Sequence, residues 1–287
     1  MSVELRSLAL QAARIAQDAG QHALNDQMSP KDLSPLDPDQ HNYMEGLEIE
    51  KRLIRFVTNR LLEIAPFDGC WEDRPEHCQP GQRFWCVGGI DGIINYSRSM
   101  AEWSVTISLF EFNEEGSAQP ILGVVHAPAL NVTYLAVRQG GAIRMRKTQF
   151  GEKREKVIPS TQRHLNGSVV SFGMSHKPVE SIRALNVVAA IAGRPADIKR
   201  IGPASLDLCK VADGTYDAYF EPHLHSWDVP AVSAGAIVIW EAQGRLRQWD
   251  GGMVHWRSEN DVVASNGLIY NELRPILLSQ ARAANEE

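Results

Sequence analysis

The stretch Phe84-Trp85-Cys86-Val87-Gly88-Gly89-Ile90-Asp91-Gly92-Ile93-Ile94-Asn95-Tyr96 constrains the fold more than any other. Phe84 to Val87 is an apolar run of strand length, and it breaks on a glycine pair. Asp91-Gly92 then turns the backbone into a new apolar segment. A strand ending in a glycine-rich turn presents backbone N–H groups at its tip, and a helix starting there adds a dipole that favours an anion. Asp91 at the same spot is a hard oxygen ligand for a divalent cation. One turn can therefore serve a phosphate and a metal together.

Around this stretch the apolar periodicity changes type along the chain. Residues 3–24 carry Leu5, Leu8, Ala12, Ile15, Ala16, Ala19 and Ala23 at helical spacing, and Glu45 to Ala65 forms a second amphipathic helix. The intervening residues 26–42, rich in Pro, Asp and Ser, read as a loop. Past the turn, Glu102–Phe112, Pro120–His126, Val132–Val137 and Ala142–Arg146 are short strand candidates separated by Pro and Gly, the pattern of a meander. The polar segment Ile158–Asn166 marks a lobe boundary, giving residues 1–158 and 159–287. In the second half, strands (Ser168–Phe172, Tyr216–Glu221, Val262–Ala264) alternate with helices (Glu180–Ala192, Ala204–Ala212, Asp228–Glu241, Gly267–Ala283), which predicts an α/β lobe.

With 287 residues, 44% of them hydrophobic, the chain can bury a large core. A net charge of −6 and no long basic run argue against a nucleic-acid surface. The most basic segment, Arg138 to Lys156, reads as a solvated hairpin or loop. No signal pattern or membrane-length apolar run is present, and four irregularly spaced cysteines fit reduced thiols in a cytoplasmic protein. Cys70, His77, Cys78 and Cys86 lack a CxxC pair, so they read as buried or loop thiols rather than a zinc site.

The Phe84–Tyr96 stretch resembles the Asp-Pro-Ile-Asp-Gly-Thr signature of the inositol monophosphatase family, Mg²⁺-dependent and lithium-sensitive phosphatases. Ile90, Asp91 and Gly92 remain; Gly88 stands for the metal-bridging Asp, Gly89 for Pro and Ile93 for Thr. Trp71-Glu72-Asp73 is similar to the family's Gly-Glu-Glu. Arg200-Ile201-Gly202-Pro203-Ala204-Ser205-Leu206-Asp207-Leu208-Cys209 and Trp227-Asp228-Val229-Pro230-Ala231-Val232-Ser233-Ala234-Gly235 resemble its Gly-Ser-Ala-Ala-Leu-Asp and Trp-Asp-x-Ala-Ala-Gly segments. The resemblance covers most of residues 45–266. It implies an α/β/α/β/α sandwich, with a mainly antiparallel sheet first and a smaller mixed sheet second. It also implies a homodimer and an active-site cleft between the lobes.

Carried over by position, the resemblance implies metal ligands at Glu72, the Ile90 carbonyl, Asp91 and Asp228. It implies substrate contacts at Gly92, Ile93, Ala204, Glu221 and Asp228. The helix Asp of the family falls on Gly46; Glu45 beside it points about 100° away, and Glu45, Glu48 and Glu50 read as solvated. Gly88, Ile93 and Gly46 thus remove a bridging carboxylate and the water-positioning groups, leaving at most one weakly held Mg²⁺ and no required cofactor. His223 and His225 flank the site, and an imidazole side chain serves as acid or base near neutral pH. No catalytic residue is assigned. Three readings stay open: repurposed, metal-independent chemistry on a phosphorylated or polyhydroxylated small molecule; a weakened Mg²⁺-dependent phosphatase of sugar or inositol monophosphates; and a catalytically inactive binding protein.

Overall fold

Small side chains set how closely the first layer packs. Helix α1 (Ser2–Gln27) buries Ala9, Ala12, Ala13, Ala16, Ala19 and Ala23, and at Gly20 any Cβ would meet His126 and Pro128 at 2.6 Å. In this computed structural model residues 2–28, 48–256 and 260–283 are described. Helix α2 (Glu48–Ile64) lies beside α1, burying Ile49, Leu53, Val57 and Leu61 at the expected helical spacing. The expected helix start at Glu45 and the loop over residues 29–42 lie outside the described residues.

The pair covers one face of a seven-stranded sheet. Its order is β1 (Gly69–Cys70), β2 (Arg83–Asp91), β3 (Ser104–Phe112), β4 (Ala118–Ala127), β5 (Val132–Val137), β6 (Gly141–Thr148) and β7 (Gly151–Lys156). Only β1–β2 is a parallel pair; the rest is an antiparallel meander. The basic segment is the β6–β7 hairpin, its charges matched in ion pairs such as Arg144–Glu155 and Arg154–Glu152.

The second sheet runs β11 (Arg245–Arg247), β12 (Asn260–Ser265), β10 (Ala218–Leu224), β8 (Val169–Phe172), β9 (Asp197–Lys199), with β10, β8 and β9 parallel and β12 antiparallel to its neighbours. Between the sheets lie α5 (Ala204–Ala212) and α6 (Val229–Glu241). Helix α6 is apolar on nearly every side, as a helix buried between two sheets must be. Two glycines let it sit close: a Cβ at Gly123 on β4 would approach the Ala234 carbonyl to 2.6 Å, and one at Gly235 would meet Leu208 of α5 at 2.7 Å.

Helices α4 (Pro178–Ile191) and α7 (Tyr270–Ala283) pack together on the far face, closing a core of Phe172, Val187, Phe220, Trp249, Leu273 and Leu277. The expected α/β/α/β/α sandwich is the observed architecture. Three strands (β1, β9 and β11) and the short helix α3 (Ile93–Ser97) were not legible, because two to five residues carry no period. Ala204–Ala212 and Val132–Val137 fall on the expected bounds. No helix among the described residues is long and apolar enough to cross a membrane.

Candidate functional site

Strand β2 delivers Asp91 to its end, where Gly92 at φ 88° turns the chain into α3. A side chain at that φ would be strained. Asn95 of α3 donates from Nδ2 to the Ile201 carbonyl at 3.0 Å, bringing the segment before α5 alongside. The Ser205 N–H, in the first turn of α5, then donates to Asp91 Oδ2 at 3.0 Å. Ser104 and Ser205 hydroxyls bond each other at 2.7 Å beneath it. Asp91 therefore caps the N-terminus of α5.

Beyond it opens a cavity of about 350 Å³. Four carboxylates line it: Asp91, Asp207, Glu221 and Asp228, together with one arginine, Arg200. Asp207 projects from α5 and is fully buried, with Ser171 beside it and neither carboxylate oxygen in a well-formed hydrogen bond. Burial pushes it up to about 7, against the pull of Lys210 and Arg200. Glu221 lies on β10 and accepts the Tyr219 hydroxyl at 2.6 Å. Burial takes it to about 7 as well, with Tyr219 and Arg200 opposing. A Cβ at Gly173 would meet the Glu221 Cδ at 2.5 Å, so glycine makes room for this pair.

Asp228 ends a 3-10 turn, Ser226–Asp228, that leads into α6, and its Oδ2 accepts the His225 N–H at 2.9 Å. Burial, then the proximity of Glu221, holds it well above the ordinary carboxylate range. Asp91 is raised too, by burial opposed by Ser205 and the Gly92 N–H. Four acids so close cannot all ionise cheaply. Trp227, half-exposed, stands at the rim.

Of the residues expected to act together, Asp91, Gly92, Ile93, Ala204, Glu221 and Asp228 line this one cavity. Ile90 is buried beneath it. Glu72 is exposed on the turn after β1 and is not among the lining residues; the preceding Trp71 is buried against Phe110. At Gly88, where the family signature has its first Asp, a side chain has little room. Gly88 pairs with Thr106 across β2–β3, and a Cβ there would overlap the Thr106 hydroxyl and meet Pro230 at 3.2 Å. Its φ is not in the left-handed region, so the obstacle is contact rather than backbone strain. Gly46 and Glu45 lie outside the described residues. His223 and His225 do not line the cavity.

Three groups escaped the sequence reading. Asp207 and Arg200 stood inside a matched segment, and Asp207 sits three residues past Ala204, one turn along the same helix face. Glu50 had read as solvated, and this is a correction. It is half-buried, accepts the Ile90 N–H, and burial, with Asp91 near, lifts it to about 7. A larger groove, about 780 Å³ beside Trp240 and Trp256, has Glu115 and Glu241 as its carboxylates among the described residues.

Comparison with known proteins agrees with this geometry. The family model described as "Inositol monophosphatase family" matches residues 51–286. The chain is 32% identical to the "Nus factor SuhB" of Haemophilus influenzae over 197 residues, covering 67% of this chain and 68% of that one. It is 30% identical to an "Inositol-1-monophosphatase" of Caulobacter vibrioides over 204 residues, 70% of this chain and 72% of the other. Among solved structures, the inositol monophosphatase of Anabaena superposes with a TM-score of 0.75 at 21% identity, covering 96% of this chain and 97% of that one. A match over most of the chain, on a sandwich shared nearly end to end, settles its kinship: the chain belongs to the inositol monophosphatase family.

Proposed function

We propose that the cleft binds a small phosphorylated or polyhydroxylated molecule and acts on it by proton transfer among its own carboxylates, not through a bridged pair of magnesium ions. The observation that carries this reading is the cavity that Asp91, Asp207, Glu221 and Asp228 line together, with Arg200 beside them. Burial raises Asp207 and Glu221 to about 7, and acids in that range are matched to general acid–base work near neutral pH. Protonated, they donate to the hydroxyls of a polyol; ionised, they accept from them. Arg200 supplies the fork that suits a phosphate or another anionic end. The donor set does not fit two bridged magnesium ions: Glu72 is not among the lining residues, and Gly88 offers no carboxylate to bridge them. In this reading two lobes, residues 1–158 and 159–287, flank the cleft, and the protein works as a cytoplasmic homodimer.

The test is a binding and turnover panel of inositol, sugar monophosphates and free sugars, with magnesium or with a chelator. Ligand binding should persist under chelation and fall at least about tenfold in Glu221→Gln, the loss typical of a charged hydrogen bond. Phosphate release should be slow and indifferent to magnesium. Rapid magnesium-dependent release by the unaltered protein would overturn the reading in favour of a family phosphatase. Tight binding with no conversion of any ligand would leave a binding protein.

Restoring the family's residues gives a second check. Gly88→Asp with Ile93→Thr and Gly46→Asp should produce no magnesium-dependent phosphatase. The first change should itself cost about 1–3 kcal/mol by overpacking. Adding Thr106→Ala, which removes a buried hydroxyl with no hydrogen-bond partner, should recover most of that loss in a urea titration. A triple variant with strong magnesium-dependent turnover would show that the space was available after all.

A further inference from the structure

Beside the cleft, and independent of the reading above, stand Glu180, His223 and His225, whose ligand atoms all lie within 4.8 Å of one another. They come from distant segments. Glu180 sits in the first turn of α4, while the histidines follow Glu221 at alternate positions along and just past β10. His225 Nε2 is 2.9 Å from Glu180 Oε2, and His223 Nε2 is 3.8 Å from Glu180 Oε1. The imidazole rings are 4.2 Å apart. Ligands around a tetrahedral ion with bonds of about 2.1 Å are separated by about 3.4 Å, so these atoms, all within 4.8 Å of one another, need close by at most about 1.4 Å.

The backbone is bent to achieve this. Pairing of β10 with β12 shifts register between Glu221 and Leu224, and His223 takes φ 72°. A non-glycine residue in that region costs of order 1–3 kcal/mol and persists where the surroundings demand it. Glu180 and His225 are both buried, and Trp227 stacks on the His225 ring at 4.1 Å. Lys177 reaches Glu180 Oε1 at 3.5 Å from a half-exposed, flexible stem that an ion could displace.

We propose that Glu180, His223 and His225 form a site for a transition-metal ion of the zinc class, next to the carboxylate cleft. Two imidazoles and one carboxylate make a set that suits Zn²⁺, Cu²⁺ or Ni²⁺ and is too nitrogen-rich for Mg²⁺ or Ca²⁺. Three protein ligands leave a fourth position open. An ion there pins the His225 ring under Trp227 and, through the His225 N–H, steadies Asp228 at the cleft wall.

The experiment titrates the full, metal-stripped chain with Zn²⁺ alone, against a chromogenic chelator, and repeats it with Co²⁺ to read the four-coordinate visible spectrum. One equivalent should bind, unaffected by millimolar Mg²⁺. Affinity should fall at least about 100-fold in Glu180→Gln and in His223→Asn, more than the loss of an outer-shell partner brings. Asparagine tolerates the left-handed backbone at 223, so that variant should fold even if a change at the buried His225 does not. Cys70→Ser with Cys78→Ser should bind as the unaltered chain does. No binding, binding within about threefold of wild type in both His223→Asn and Glu180→Gln, or loss only in the cysteine variant would overturn the proposal.

Discussion

Trp71→Gly, which installs the residue the family carries before its acidic pair, is expected to destabilise the protein by about 3–5 kcal/mol, the range for emptying a buried aromatic site. Trp71 is 3% exposed and stacks on Phe110 at 4.1 Å and on Phe112 at 6.3 Å. The Arg74 guanidinium lies 3.8 Å above its ring, and the Trp71 backbone N–H donates to the Trp85 carbonyl at 2.8 Å, fixing β1 against β2. Glycine removes the packing and the cation–π contact, and it adds backbone entropy to the unfolded chain. Equilibrium urea unfolding measures the loss. A cost below about 1 kcal/mol would mean that the neighbouring aromatics collapse into the space, and that Trp71 is not what holds the Glu72 turn in place.

Asp207→Asn is expected to do the opposite, and increasingly so as pH rises. The folded-state pKa of Asp207 is raised to about 7, so between about 4 and 7 the native chain binds a proton that the unfolded chain releases. The contribution of Asp207 is favourable below the unfolded value and is lost as pH rises through about 7. Ionised there, without a well-formed hydrogen bond, the buried carboxylate costs the fold at most about 4 kcal/mol at pH 8. Asparagine carries no charge and can donate to the Ser171 hydroxyl, so a gain of about 3–4 kcal/mol is expected at pH 8 and only about 1–2 kcal/mol at pH 5. Urea titrations at both pH values decide it. Equal effects at the two would show that Asp207 does not change its protonation between them. A stabilising substitution inside a cleft is the signature of a group kept for function at a cost in stability.

Gly88 shows where a local reading stops. A pair of glycines in sequence is compatible with a backbone that only glycine adopts. Gly88 instead lies in regular pairing with Thr106, and what crowds a side chain there is the Thr106 hydroxyl and the ring of Pro230, from β3 and α6. Neither neighbour is near Gly88 in sequence. Glu50 is the converse case. Three glutamates close together on an amphipathic helix look solvated, and only the arrival of β2 makes one of them the acceptor for Ile90.

What the sequence by itself determined was whatever is written in local period and local chemistry. Strong apolar periodicity marked α1, α2, α5, α6 and strands β3 to β5, the Asp91-Gly92 turn marked the tip of β2, and the segments around Ala204 and Trp227 carried the family. What only the tertiary structure decided was which acids share an environment. Asp207, Glu221, Asp228 and Asp91 come from α5, β10, the turn before α6 and the end of β2, and Glu180 meets His223 and His225 across more than forty residues of chain. Protonation and ligand binding depend on the burial of a group and on the charges a few ångströms away, and both are sums over neighbours that the fold, not the order of residues, supplies.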